Sequence, residues 1–340
     1  MSTKPGSHLL VDPSDEPRSE RVARRLRTVP TVVAIFLVVT LLAPVILGLT
    51  GIADLMRRRH DWTLTRLAVF GWVFLASETV GLIALGAAWL AGGRRTVALT
   101  WAFQRWWSST LFKTLRSVFR LRFVVEGDDQ VAPGPVIVMM RHASMVDNLL
   151  PAGLVSLPHS IRLRYVLKKE LLWDPVLDIG GQRLPNVFVR REGDSATEIT
   201  RIRRLAIGLT ERDGVLIYPE GTRFTAKKRD QAIRRLERTD PALADRARQL
   251  RRLLPPRPGG PMSLLDSGAD VVMCAHHGLE GLAGVSDVLR AGLVGRTIHV
   301  GFRRIEADQI PSDRSERVAW LFDQWQQVDD WIDTVQAEVG

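Results

Sequence analysis

The chain has 340 residues, a formal net charge of +10 and a single cysteine. This length accommodates one sizeable domain and an additional segment. With one cysteine, Cys274, an internal disulfide bond is excluded and a cysteine-based zinc site is disfavoured. The positive charge predicts an anionic partner, which is nucleic acid, phospholipid headgroups or an anionic substrate.

The N-terminal third contains a polar segment followed by two apolar stretches. Residues 1–28 are rich in Ser, Pro, Asp, Glu and Arg, which predicts a disordered basic tail. No charged residue occurs from Val29 to Ala53, and Glu78 is the only one from Leu67 to Gly93. Each stretch is long enough to cross a bilayer. We therefore predict a two-helix transmembrane hairpin over residues 29–93. The alternative is a hairpin that enters one leaflet and returns, which Pro44 would permit.

Arginines flank both apolar stretches, so the positive-inside rule expresses only a weak preference for orientation. An even number of crossings places the N-terminus and the large following domain on the same side of the membrane. We expect an integral protein of the plasma (inner) membrane whose large domain faces the cytoplasm. A carboxyl group such as Glu78 inside a span is costly, and we expect it to make a polar contact with the partner helix.

Residues 94–120 combine aromatic and basic side chains. Trp101, Trp106 and Trp107 occur together with Arg105, Lys113 and Arg116. This composition suits an amphipathic helix in the headgroup layer of a membrane. An ordinary amphipathic core helix is the alternative, and the sequence does not separate the two.

From residue 121 onwards, β-type and helix-type segments alternate. Predicted strands cover Phe123–Glu126, Val136–Met140, Arg164–Lys168, Val187–Arg190, Val215–Tyr218, Asp270–Cys274 and Ile298–Phe302. Predicted helices cover Asp147–Val155, Glu170–Asp178, Ala196–Glu211 and Gln231–Leu254. The alternation predicts an α/β domain over residues 121–305, with a mostly parallel central sheet flanked by helices. Residues 306–340 are predicted to form a C-terminal helix that covers the domain or contacts the membrane.

His142 and Asp147 follow the strand Val136–Met140. A histidine held by a carboxylate can serve as a general base, because the carboxylate orients the ring and stabilises the imidazolium. On a regular helix a five-residue offset would separate the two side chains around the axis. They can meet only if His142 lies in a turn and folds back. A loop histidine beside a helix-capping aspartate is the alternative.

A second strand, Val215–Tyr218, leads into Pro-Glu220-Gly221-Thr222-Arg223. Arginine binds phosphate through a bidentate fork, and glycine permits close approach of a ligand or backbone. His-x4-Asp followed by Pro-Glu-Gly-Thr-Arg resembles the glycerolipid acyltransferases, above all the 1-acylglycerol-3-phosphate acyltransferases. The resemblance covers roughly residues 110–305 and implies an acyltransferase domain.

The resemblance also implies roles for individual residues. His142 would be the base and Asp147 its orienting partner, and no covalent acyl-enzyme would be required. Gly221, Thr222 and Arg223 would bind the phosphate of the acceptor, with Glu220 shaping the turn. Arg190 and Arg191 would help to hold the same phosphate, and Arg191 is slightly favoured because Arg190 can still belong to its strand.

Two positions depart from the family pattern. Arg141 stands where many members have Asn or Ser before the histidine, so it would disfavour the imidazolium unless its side chain points elsewhere. The segment Val271–His277 lacks the proline that usually ends the fourth family motif. His276 and His277 are adjacent on a predicted strand and therefore point to opposite faces, so we expect no metal site.

The expected function is membrane-bound O-acyl transfer from acyl-CoA or acyl carrier protein to 1-acylglycerol 3-phosphate, which yields phosphatidic acid. No bound cofactor is expected. The expected partners are the lysophospholipid acceptor, the acyl donor and membrane lipids, and no nucleic acid. The alternatives are another lysophospholipid or glycolipid acceptor, or a catalytically inactive lipid-binding membrane protein.

Overall fold

The computed structural model describes residues 16–58, 60–189, 196–282 and 284–339. The chain forms two compact units. Within the described residues, the first unit contains residues up to Arg120 together with the segment 164–189, and the second contains Leu121–Leu163 and residues 196–339.

The strands follow one another in the order that the sequence predicts. The α-helices are α1 Arg18–Leu41, α2 Ala43–Met56, α3 Thr63–Leu90, α4 Gly93–Val118, α5 Leu157–His159, α6 Ala196–Arg204, α7 Ala226–Thr239, α8 Pro241–Gln249, α9 Gly259–Leu265, α10 Val285–Ala291 and α11 Arg314–Val339. The strands are β1 Arg122–Glu126, β2 Val136–Met140, β3 Arg162–Lys168, β4 Val187–Val189, β5 Asp213–Ile217, β6 Asp270–His277 and β7 Thr297–Ile305. The predicted α/β class with a mostly parallel sheet is confirmed.

The first apolar stretch is broken into two helices rather than forming one straight span. Helices α1 and α2 meet at Leu42 and are bent by 69°. Pro44 lies in the first turn of α2, where its missing N–H and its ring prevent α1 from continuing. Within the described residues, α3 alone is long and apolar enough to cross a membrane, and the bent α1–α2 pair adds a second span if it is counted as one.

The predicted disordered tail is wrong from Arg18 onwards, where α1 begins. The helix start is fixed by Asp178, a fully buried side chain in the same unit. Arg24 Nη2 lies 2.9 Å from Asp178 Oδ1, and Arg25 Nε lies 3.0 Å from Asp178 Oδ2. This partner is more than 150 positions away in the sequence, so local composition could not indicate it.

Helix α4 packs against α3 in the first unit. Phe103 of α4 is buried in a cluster with Leu85 of α3 and Val176. The indole Nε1 of Trp107 donates a hydrogen bond to Glu78 Oε1 at 2.9 Å. Glu78 therefore makes a polar contact, but with α4 rather than with the partner helix of the predicted hairpin. These contacts give α4 a core-facing side, while Trp106 remains exposed.

In the second unit, five strands pair in the order β1-β7-β6-β2-β5. The β1–β7, β6–β2 and β2–β5 pairs are parallel, whereas β6 and β7 are antiparallel. All five residues of β2 are buried, as expected for a central strand covered on both faces. In the first unit, β3 and β4 pair in parallel.

Four predicted helices differ from the observed elements, and one of them, Ala196–Glu211, ends at Arg204 as α6. The predicted helix over Asp147–Val155 is a 3-10 turn, Val146–Leu149, followed by a π-helical turn, Ala152–Ser156. The helix over Glu170–Asp178 is a 3-10 turn, Lys169–Trp173, and a π-helical turn, Leu177–Gly181. The helical region Gln231–Leu254 is divided into α7 and α8, because Asp240 caps the N-terminus of α8 and Pro241 starts it.

The C-terminal helix α11 covers the sheet of the second unit and packs against β6. Trp325 is fully buried, and its Nε1 donates to the carbonyl oxygen of Leu254 at 3.1 Å. Asp329 is also buried and accepts hydrogen bonds from the backbone N–H groups of Arg251 and Arg252. Of the two placements considered for this helix, the one that covers the domain is confirmed.

We predict that Trp325→Ala destabilises the second unit by about 3–5 kcal/mol, the cost typical of truncating a buried large aromatic side chain. The variant leaves a cavity and removes the donor to the Leu254 carbonyl. Denaturant unfolding followed by circular dichroism measures the change. Gln327→Ala, an exposed position on the same helix, serves as the control and should remain within about 0.5 kcal/mol of the parent. Equal stability of the two variants would contradict the assigned packing.

Candidate active site

Three strand ends define the site. Strands β5, β2 and β6 are neighbours and run parallel, so their carboxyl ends meet at one edge of the sheet. His142 follows β2, Glu220 follows β5, and His276 lies near the end of β6. Ligands commonly bind at this edge of an α/β sheet.

His142 and Asp147 are in contact, as the motif requires. His142 Nδ1 lies 3.2 Å from Asp147 Oδ2. The same oxygen accepts hydrogen bonds from the backbone N–H groups of Ala143 and Ser144, at 2.6 and 2.7 Å. The Ser144 hydroxyl donates to Asp147 Oδ1 at 2.6 Å. Asp147 thus closes the turn that returns His142 to it, and the side chains meet without a regular helix between them.

The charge on Asp147 is stabilised by its surroundings. The side chain is fully buried, and burial by itself raises the pKa of a carboxyl group. The neighbouring His276, the hydrogen bond and charge of His142, and the Ser144 hydroxyl outweigh this effect and lower the pKa of Asp147 to about 2. Asp147 is therefore ionised at neutral pH, which allows it to stabilise an imidazolium at His142.

Tyr218 packs on the imidazole ring of His142. The ring centroids are 4.4 Å apart, with an interplanar angle of 30°. The Tyr218 hydroxyl donates to the carbonyl oxygen of Asp147 at 3.1 Å. Tyr218 therefore restrains both members of the pair. Tyr218 is not among the site residues predicted from the sequence. Its position directly before the Pro-Glu-Gly-Thr-Arg motif is the feature that could have indicated it.

Glu220 supports the backbone of the site. Its Oε1 accepts from the N–H of His142 at 2.7 Å, and its Oε2 accepts from the N–H of Leu254 at 3.0 Å. Burial raises the pKa of Glu220 to about 8, whereas the two amide donors and the charge of Arg141 act in the opposite direction. With both oxygens engaged inside the protein, Glu220 joins the backbone at His142 and at Leu254 to the turn after β5.

The turn Gly221-Thr222-Arg223 lies next to His142. The N–H of Phe224 donates to the carbonyl oxygen of His142 at 2.9 Å, which joins the two motifs directly. Lys228 of α7 donates through Nζ to Thr222 Oγ1 at 3.1 Å and to the Arg223 carbonyl at 2.9 Å. Gly221 has a φ of +66°, a conformation that favours glycine. The turn therefore contains the cationic residue Arg223 and is contacted by a second one, Lys228.

Arg141 points away from His142. It is buried, and its guanidinium donates to the side chain of Glu280 and to the carbonyl oxygens of His276 and Arg252. Of the two possibilities for Arg141, the one in which it points elsewhere is confirmed. The guanidinium links β6 to the segment after α8, so Arg141 holds the framework around the site.

The two histidines of β6 have different environments. His276 is fully buried, with Nε2 at 3.2 Å from the Arg141 carbonyl oxygen and 3.6 Å from Asp147 Oδ1. Burial, reinforced by Arg141, lowers the pKa of His276 despite the opposing charge of Asp147. Throughout the described segments, no group of three or more His, Cys, Asp or Glu side chains is arranged to hold a metal ion. The other candidate phosphate-binding residues, Arg190 and Arg191, lie outside the described residues.

Residues 122–276 match the family described as Acyltransferase. The fold is similar to the crystal structure of the 1-acyl-sn-glycerophosphate (LPA) acyltransferase PlsC from Thermotoga maritima, with a TM-score of 0.54 and 17% sequence identity. The similarity covers 81% of this chain and 96% of the Thermotoga protein. Among curated proteins, no sequence matches the chain. The chain therefore has a fold similar to that of a known structure.

We predict that Asp147→Asn reduces the loss of folding stability that the parent protein shows at acid pH. The pKa of Asp147 lies near 2 in the folded protein and has a reference value of 3.8. The ionised carboxylate therefore contributes about 2 kcal/mol to the free energy of unfolding. This contribution is fully present above about pH 4 and is lost as the pH falls towards 2.

Denaturant unfolding at a series of pH values tests this prediction. The difference in unfolding free energy between the parent and Asp147→Asn should be largest at neutral pH and should shrink between about pH 4 and pH 2. Asp308→Asn, which changes an exposed carboxyl group, is the control and should leave the pH dependence close to that of the parent. A difference that stays constant down to pH 2 would contradict a charged, stabilising Asp147.

Proposed function

We propose that this protein transfers a fatty acyl group from a thioester to a lysophospholipid, because residues 122–276 match the Acyltransferase family and the fold is similar to that of an LPA acyltransferase. The foremost acceptor is 1-acylglycerol 3-phosphate, and the product is phosphatidic acid. The contact between His142 and Asp147, joined to the Glu-Gly-Thr-Arg turn through the Phe224–His142 hydrogen bond, is the observation that carries the proposal.

His142 acts as the general base in this reaction. With Nδ1 hydrogen-bonded to Asp147, the unprotonated Nε2 takes the proton of the acceptor hydroxyl as its oxygen attacks the thioester carbonyl carbon. The new C–O bond forms, the C–S bond breaks, and the proton passes from the imidazolium to the departing thiolate. Asp147 stabilises the imidazolium while it exists. The transfer is direct, and no acyl group becomes attached to the protein.

The phosphate of the acceptor binds at the turn after β5. Arg223 supplies a planar guanidinium suited to two phosphate oxygens, and Gly221 and Thr222 let the phosphate approach the backbone. Lys228 bridges Thr222 and the Arg223 carbonyl, which holds the turn in one conformation. Arg190 and Arg191 complete the proposed phosphate-binding set.

The apolar helices support the proposal that the reaction takes place at a membrane. Helix α3 is long enough to cross a bilayer, and the bent pair α1–α2 has the apolar length for a second crossing or a re-entrant segment. Lysophospholipid and phosphatidic acid both reside in the bilayer, so an anchored domain meets its acceptor at the surface. We propose an integral protein of the plasma (inner) membrane with its acyltransferase domain in the cytoplasm, where acyl-CoA or acyl carrier protein supplies the acyl group.

The proposed chemistry predicts that His142→Gln abolishes acyl transfer. Removing a general base lowers the rate by about 10²–10⁴-fold. Membranes carrying the protein would receive labelled oleoyl-CoA, or the acyl carrier protein thioester, with a panel of lysophospholipids and glycolipids. His159→Gln is the matched control. His159 Nε2 lies 3.0 Å from Asp128 Oδ1, and its helix, α5, contributes no residue to the site, so this variant should retain activity.

The panel separates the alternatives. Product from 1-acylglycerol 3-phosphate that depends on His142 supports the foremost acceptor, whereas product from another lysolipid or a glycolipid replaces it. If neither acyl donor yields His142-dependent product with any acceptor, the proposed function is wrong and an inactive lipid-binding protein takes its place.

Arg223→Gln is predicted to raise KM for 1-acylglycerol 3-phosphate by about 10–100-fold, the loss expected for one charged hydrogen-bonding partner. The KM for a monoacylglycerol acceptor, which lacks the phosphate, should change little. Arg234→Gln on the exposed side of α7 is the charge-matched control. Equal losses with both acceptors would remove the phosphate-binding role from Arg223.

A further inference from the structure

The segment 250–258 connects α8 to α9, and backbone N–H groups along it donate hydrogen bonds to other parts of the second unit. Its N-terminal part is bonded to α11, where Asp329 accepts from the N–H groups of Arg251 and Arg252. Its centre is bonded to the site, because the N–H of Leu254 donates to Glu220. Its end is bonded to the turn after β5, where the N–H of Arg257 donates to the Pro219 carbonyl at 2.9 Å. We refer to residues 250–258 as the connecting segment.

Proline restricts the connecting segment further. Pro255, Pro256 and Pro258 surround Arg257, and proline fixes φ near −65° while it also restricts the preceding residue. The backbone of Arg257 is therefore held in place by a hydrogen bond and by its neighbours. Little further backbone freedom is therefore lost at this position when a ligand binds.

The Arg257 side chain occupies the space that the missing Cβ of Gly221 leaves open. Measured from the position of an ideal Cβ on Gly221, the Arg257 atoms Cδ, Nε and Cζ lie at 3.2, 3.3 and 3.6 Å. The guanidinium therefore lies against the turn that carries Thr222 and Arg223. A Cβ at this position would require the Arg257 side chain to shift by a few tenths of an ångström, so Gly221 leaves room for Arg257 in addition to adopting a positive φ.

Arg257 differs from the other arginines of the connecting segment in having an unused guanidinium. Arg251 Nη1 and Arg252 Nε form ion pairs with Asp333 at 2.8 and 2.9 Å. Arg257 is exposed, and its guanidinium has no hydrogen-bond or ion-pair partner within residues 16–58, 60–189, 196–282 and 284–339. An unpaired fork on a fixed backbone beside a phosphate-binding turn is suited to an anion.

We propose that Arg257 is a further phosphate-binding residue, which donates through its guanidinium to the phosphate monoester of the acceptor lipid. The inference rests on the proposed function and extends its acceptor site from the Gly221–Arg223 turn to the connecting segment. Phosphate is also present in CoA, and the site next to Gly221, Thr222 and Arg223 favours the acceptor over the donor.

The proposal predicts that Arg257→Gln raises KM for 1-acylglycerol 3-phosphate by about tenfold or more, as expected for the loss of a charged hydrogen bond. The kcat, the KM for acyl-CoA and the KM for monoacylglycerol should remain close to their parent values. Arg257→Lys keeps the charge without the fork and should fall between the two. Arg251→Gln, which removes an equal charge from the same segment, should behave as the parent.

Each other result would overturn the assignment. An equal rise of KM for acceptors with and without phosphate would assign Arg257 a structural role. A rise confined to acyl-CoA that disappears with a donor lacking the CoA 3′-phosphate would place the contact on the donor. Unchanged kinetics in both Arg257 variants would leave it without a role in binding.

A binding measurement separates failure of this inference from failure of the proposed function. Thermal unfolding of the purified protein in detergent would be followed with added 1-acylglycerol 3-phosphate and, separately, with monoacylglycerol. The phosphate-bearing lipid should raise Tm of the parent and of Arg251→Gln, and should raise it less in Arg257→Gln. Inactivity with every acceptor would contradict the proposed function. An equal Tm increase in the parent and in Arg257→Gln would contradict the role of Arg257, whether or not the protein is active.

Discussion

A buried carboxylate is costly unless its oxygens are hydrogen-bonded, and Asp147 meets this condition within a single turn. Two backbone N–H groups, the Ser144 hydroxyl and His142 Nδ1 all lie within hydrogen-bonding distance of its side-chain oxygens. The same contacts that satisfy Asp147 also fold the turn after β2. The orientation of His142 therefore follows from the hydrogen bonds that satisfy the buried Asp147 carboxylate. The chemistry proposed for the site depends on this orientation.

A second set of contacts connects this turn to the rest of the second unit. Helix α11 holds the connecting segment through Trp325 and Asp329, and the connecting segment holds Glu220 through the Leu254 N–H. Glu220 in turn accepts from the N–H of His142. Since each link is a buried or backbone hydrogen bond, His142 is supported from the far end of the chain. A site held in this way is preorganised for transfer without large rearrangement.

Local pattern was sufficient to predict the parts of the fold that depend on local chemistry. Strand β2 has the predicted bounds, and its five consecutive apolar residues are all buried, as is typical of a central strand. Both motifs lie at strand ends as expected. The errors arise from long-range contacts: Asp178 orders the start of α1, and Asp147 replaces a helix by a hydrogen-bonded turn. Arg257 could not be identified from sequence, since its contact with Gly221 exists only after the connecting segment is fixed.

The central claim is that Asp147 holds His142 with a proton on Nδ1 and leaves Nε2 free to accept one. Nitrogen-15 chemical shifts of the labelled protein, with His142 assigned by comparison with His142→Gln, report the protonation of each ring nitrogen directly. At a pH where the ring is neutral, the account predicts a protonated Nδ1 and an unprotonated Nε2, and predicts that Asp147→Asn disturbs this preference. A neutral ring that carries its proton on Nε2 would contradict the account, because that nitrogen could not serve as the base.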